Sequence, residues 1–230
     1  MGTLLEKYIA DIGKRLEKMQ ELCGKALLLA MDAFASIDVS LALEVAEMAD
    51  ENEELSHKVE ENVIETIARR QPVAGDLRKL AGYLQVAGNL YRIGRHANKI
   101  AHIVKLADGL HLQHFKELRT LPFLAQQSKT TLDIAMKAVL TGDLSEIEEL
   151  EKLESVTDKE TEDMFEEIVE YLRKDQTIVR MALFYILVGR YYERAADHAM
   201  MIAERAIYMV TGHRQKLGLA YKEASLHPPH

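Results

Sequence analysis

Two segments about a hundred residues apart repeat one pattern. Tyr91-Arg92-Ile93-Gly94-Arg95-His96-Ala97 and Tyr192-Glu193-Arg194-Ala195-Ala196-Asp197-His198-Ala199 each contain an Arg, three residues, then His-Ala, and each sits late in a long helical run. A chain built this way is one unit written twice, so both halves must satisfy one architecture. Each half carries three long runs of helix-forming residues separated by stop signals. Three amphipathic helices bury their apolar stripes only by closing on one another. The expected fold class is all-α: a tandem pair of antiparallel three-helix bundles, an internal duplication with six long helices.

The first run extends from about Thr3 to Ile37, with Leu5, Ile9, Ile12, Leu16, Met19 and Leu22 recurring at steps of four and three on one helix face. Asp38-Val39-Ser40 breaks it, and Ser40 is expected to cap the second helix. The second run, about Leu41 to Arg70, is acidic and ends at Gln71-Pro72, because the residue before Pro resists the helical region. Pro72 is placed to open the third helix, about Val73 to Asp108. Thr120-Leu121-Pro122 starts a fourth helix to about Leu140, a second acidic run covers about Leu144 to Lys174, and the sixth covers about Ile178 to Val210. These runs divide the chain into a first repeat at 1–109, a linker at 110–121, a second repeat at 122–212 and a frayed tail at 213–230.

Composition narrows the function classes. The net charge of −8 argues against non-specific nucleic-acid binding, which needs a basic footprint. One cysteine, Cys23, permits neither an intrachain disulfide nor a cysteine-based zinc site. No run reaches the roughly 20 apolar residues of a membrane span, and the first ten residues do not resemble a signal peptide. A soluble, cytoplasmic protein is expected. No Gly-rich phosphate loop, nucleophile elbow or HExxH is present.

The candidate chemistry lies in carboxylates. On the sixth run, Tyr192, Ala195, Ala199, Ile202, Ala206 and Met209 trace an apolar seam, while Glu193 and Asp197 fall on nearly the opposite side, four residues apart. Two carboxylates at that spacing repel unless something positive lies between them, and a hard cation suits their oxygens. Arg190 and Arg194 offer the alternative of neutralisation within the helix. Met200, Met201 and Glu204 lie near the same face. Glu154 and Asp158 on the fifth run are also four apart, so four carboxylates converge if the two helices are neighbours in the right register. In the first repeat Tyr91 and Arg95 stand where Glu193 and Asp197 stand in the second. Arg95 is expected to pair with Asp50 or Glu53 there, so any metal belongs to the second bundle. His96 and His198, as lone helical histidines, are more simply structural. A carboxylate-bridged metal enzyme is the competing reading, but Glu54-Leu55-Ser56-His57 is a single Glu-x-x-His and cannot build a paired site.

Arg69-Arg70-Gln71-Pro72-Val73-Ala74-Gly75-Asp76-Leu77-Arg78 resembles the R-x-Q-P-x-A-x-D-L-R segment of the PhoU family, and Glu193 to Ala199 resembles that family's E-R-x-x-D-x-A signature. The similarity runs from the first helix to about Met209. The resemblance implies two three-helix bundles and no enzymatic activity. It also implies a cytoplasmic adaptor between a phosphate ABC transporter ATPase subunit and a sensor histidine kinase, acting in negative regulation of phosphate uptake and starvation signalling. Iron or zinc at Glu193, Asp197, Glu154 and Asp158 is implied in the same way. A homodimer is expected from the large amphipathic surfaces. The Tyr91/Arg95 divergence leaves a paralogue serving another transporter as the alternative.

Overall fold

The computed structural model describes residues 4–218. Six long helices succeed one another: α1 (Leu4–Ser36), α2 (Val39–Arg70), α3 (Ala74–Gly109), α4 (Thr120–Thr141), α5 (Ile147–Lys174) and α6 (Val179–Thr211), with a short 3-10 turn at Gln176–Ile178 before the last. No strand occurs among the described residues. The all-α expectation and the six runs hold, each within a few residues of its expected boundaries.

The boundaries differ where caps decide them. Asp38, not Ser40, caps α2: its carboxylate accepts from the backbone N–H groups of Ser40, at 2.7 Å, and Leu41. An ionised Asp offers a stronger acceptor to the first-turn amides than a hydroxyl does. Gln71 takes a left-handed conformation (φ 48°) that closes α2. Pro72 therefore stays outside α3, which starts at Ala74 with Val73 as its extended N-cap residue. Gly142 and Gly212, both at φ 77°, end α4 and α6 in the left-handed region that glycine enters without a Cβ penalty.

Helices α1, α2 and α3 pack on one another, and α4 and α6 form the matching pair in the second repeat. The two halves share one continuous apolar core. Helix α3 lies antiparallel along α6, with Gly82 against Met209 at one end of the contact and Asn89 against His198 further along. Helix α1 also touches α4, and the fully buried Tyr192 of α6 donates its hydroxyl to the Leu27 carbonyl of α1 at 2.9 Å. Helix α5 is the exception. Only six of its 28 residues are buried, two of them threonines, so less apolar area holds it in place than holds any other long helix. That weak seating leaves a groove open between α5 and α6.

Candidate metal centre in the α5–α6 groove

Helices α5 and α6 meet at the small Gly189, where the Met164 terminal methyl approaches closely, and Leu150 and Ile168 of α5 are buried with Met164. Above that contact they diverge, and α3 supplies a further wall. The result is an open groove of about 900 Å3. Glu154 and Asp158 enter it from α5, Glu193, Asp197 and Glu204 from α6, and Gln85, Asn89 and Arg92 from α3. All four expected carboxylates therefore line one groove. Their register is set by the Leu150 and Met164 packing on α5 and by the Tyr192–Ala195–Ala199 seam on α6, each buried as expected.

Electrostatics in the groove are unbalanced. Partial burial, reinforced by the facing charges of Glu193 and Asp197, holds the Asp158 carboxyl above its ordinary range. Glu193 is partly neutralised within its own helix, since Arg190 Nη1 lies 2.8 Å from its carboxylate. Arg194 forms no ion pair among the described residues. The donor set is all oxygen, which fits a hard cation, and the mutual repulsion on Asp158 is what a cation would relieve. No three of these side chains meet at ligand distance among the described residues.

Glu204, seven residues after Asp197, lines the groove as its place near that helix face led one to expect. Sequence reasoning missed the segment that crosses it. Residues 213–218 do not fray: they turn back at Gly212 and cross the groove. Leu217 donates its N–H to Glu204 Oε1 at 3.0 Å and packs on the core, and Gly218 is buried against the Glu154 carboxylate. Gly218 takes φ 73°, the left-handed region that glycine enters without a Cβ penalty, and a Cβ there would sit 2.5 Å from Glu154 Oε2. The tail beyond it, at 219–230, lies outside the described residues.

In the first repeat the crossing of α2 and α3 is packed by a side chain. Asn52 of α2 is buried, donates Nδ2 to the Leu90 carbonyl of α3 at 3.0 Å, and presses on Gly94. Arg95 forms no ion pair with Asp50 or Glu53, contrary to expectation. It is exposed on α3, and the acidic face of α2 pairs elsewhere, Glu51 with Lys18 and Glu54 with Lys58. A buried amide, not a salt bridge, closes the first crossing.

Known proteins share this architecture. The PhoU domain pattern matches residues 16–104 and again 121–206, once per repeat. The chain belongs to the PhoU family. A Mycobacterium tuberculosis relative, named phosphate-specific transport system accessory protein PhoU homolog 2, is 28% identical over 215 residues, 92% of this chain and 99% of its own length. A Thermotoga maritima PhoU homolog 1 is 29% identical over 92% of this chain and 90% of its own length. The crystal structure of PhoU from Pseudomonas aeruginosa superposes with a TM-score of 0.82 at 26% identity, covering 90% of this chain and 99% of that one. The tandem three-helix architecture is thus a PhoU architecture, and the two family matches coincide with the two copies of the Arg-x3-His-Ala motif. No helix of the described residues is long and apolar enough to cross a membrane.

Proposed function

We propose that this chain is a cytoplasmic regulator of phosphate uptake and phosphate-starvation signalling, without enzymatic activity of its own. It acts as a homodimeric adaptor between the ATPase subunit of a phosphate ABC transporter and a sensor histidine kinase, and damps the starvation response when phosphate is plentiful. The observation that supports this reading is end-to-end similarity to proteins named accessory to phosphate-specific transport systems, 99% of the length of the mycobacterial one. In this reading the groove is a control site. Glu154 and Asp158 from α5 and Glu193 and Asp197 from α6 hold iron or zinc there. The ion would offset the repulsion around Asp158 and draw the weakly seated α5 onto α6.

Two measurements test it. Deletion in the native host is expected to raise phosphate-starvation gene expression in phosphate-replete medium, and unchanged expression and uptake would refute the adaptor role. Protein purified without an affinity tag or chelator is expected to carry iron or zinc that is lost in Asp197→Asn. Metal at background in both would remove the metal while leaving the adaptor reading to the first test.

A further inference from the structure

The segment that follows α6 lies where the groove would have to change. Gly212, at φ 77°, ends α6 and turns the chain back. His213 donates its N–H to Thr211 Oγ1 at 3.1 Å, and the Arg214 guanidinium lies 5.3 Å over the Tyr208 ring, so the segment's start is pinned to the end of α6. Lys216, Leu217 and Gly218 then line the groove together with Glu154, Asp158, Glu193 and Asp197. Leu217 is tied to α6 by its N–H bond to Glu204, and Gly218 lies against the Glu154 carboxylate of α5. Residues 213–218 thus reach from one wall of the groove to the other. Arg214 and Lys216 bring positive charge to this acidic surface.

That seating and a cation make opposite demands on Glu154. With the segment in place, no three of the groove's carboxylates meet at ligand distance among the described residues. A zinc-like cation gathers carboxylate oxygens at about 2.0–2.2 Å. To join Asp158, Glu193 and Asp197 at such distances, Glu154 must turn away from Gly218. Helix α5, held by only six buried residues, is the wall that can move with it. The Gly218 contact is exchanged for the cation, not kept beside it.

We propose that residues 213–218 are an autoinhibitory strap, seated in the metal-free groove and released when Glu154 turns to a cation. This rests on the reading of the groove as a metal centre and adds the regulation of that centre. Strap and cation oppose each other by linkage. A seated strap lowers the apparent metal affinity by the fraction of molecules it closes, and metal loading loosens the strap in return. A cation held between α5 and α6 is thereby reported at the surface as a freed C-terminal segment.

The test is a zinc titration of the full chain by calorimetry, counting only the site that Asp197→Asn removes. Two strap variants are compared with the parent. Leu217→Pro deletes the N–H bonded to Glu204 and the side chain packed on the core, and Gly218→Ala sets a Cβ at a left-handed position against Glu154. Both lie outside the six helices. Zinc affinity is expected to rise about tenfold in Leu217→Pro and about threefold in Gly218→Ala as the seated fraction falls. In hydrogen exchange, the Leu217 amide of the parent is expected to be protected without zinc and to lose protection at saturation. Equal or weaker zinc affinity in both variants overturns the strap while leaving the metal site, as does a Leu217 amide that is never protected or stays protected at saturation. No zinc site in the parent or in either variant removes the metal reading and the strap's competition with it.

Discussion

Whether the first repeat is closed by the Asn52–Gly94 contact can be decided with two glycines on one helix. Gly88 and Gly94 both lie inside α3, and each loses helix stability relative to alanine by about 0.8–1 kcal/mol. A Cβ on Gly88 meets nothing within 4 Å, so Gly88→Ala is expected to stabilise the protein by about that amount. At Gly94 the same Cβ falls 2.6 Å from Asn52 Nδ2 and 3.4 Å from its Cγ. Asn52 is 1% exposed and cannot swing aside without giving up its bond to Leu90. Overpacking costs about 1–3 kcal/mol and the hydrogen bond about 1 kcal/mol, so Gly94→Ala is expected to destabilise by about 1–3 kcal/mol net. The two variants should therefore differ by about 2–4 kcal/mol in urea unfolding at equal m-value, with opposite signs against the parent. Adding Asn52→Ala to Gly94→Ala should be non-additive by about 1 kcal/mol or more, because it removes the obstructing amide. Stabilisation of Gly94→Ala equal to that of Gly88→Ala would refute the reasoning.

The groove and the helix seam make further predictions. Asp158→Asn is expected to stabilise metal-free protein at neutral pH by a few tenths of a kcal/mol. Because the folded-state carboxyl is held above its unfolded value, its contribution is full at low pH and lost as pH rises, so melts at several pH values should show the variant's advantage growing upward from about pH 4. His96 behaves oppositely to a salt-bridged histidine: burial, then His198 and the neighbouring cations, lower it from 6.5 to about 4. Between those values the unfolded chain binds a proton that the folded chain refuses, so stability should fall by about 1–2 kcal/mol on acidification through that window, and His96→Gln should flatten the fall in denaturant titrations. Tyr192→Phe, which removes the hydroxyl bonded to Leu27, should cost about 1 kcal/mol while calorimetry still shows a single transition.

The fold was legible because its signals are local and repeated. The steps of four and three in α1, the Gln71-Pro72 stop and the glycines at 142 and 212 each act over a few residues, and duplication states them twice. The acidic groove was half legible: spacing placed Glu154 with Asp158 and Glu193 with Asp197, while their convergence depended on a helix register that no local pattern carries. Arg95 misled because its charge suggested an ion pair, when the space was already filled by Asn52, a residue whose burial depends on the absence of a Cβ at Gly94. The return of residues 213–218 was hidden for a similar reason. Polar segments such as 213–218 resemble disorder in composition, and only the docking of Leu217 beside Glu204 distinguishes these residues. His96 and His198, whose rings stack with centroids 5.5 Å apart, were visible as two motifs but not as one cluster, since sequence does not say which faces of α3 and α6 touch.

The Tyr192–Leu27 bond and the unbroken core carry a consequence for ancestry. A gene that doubles can give two beads on a string or two halves of one object, and this chain is the second kind. The copy that became α4–α6 rests on α1 and α3, so neither half inherits a finished surface. Substitutions along α6 are constrained by α1 and α3 as well as by the copy's own partner helices. Freedom to drift remained where that embrace is weakest, on α5 and the outer faces, which is where the two halves have come to differ in charge and shape.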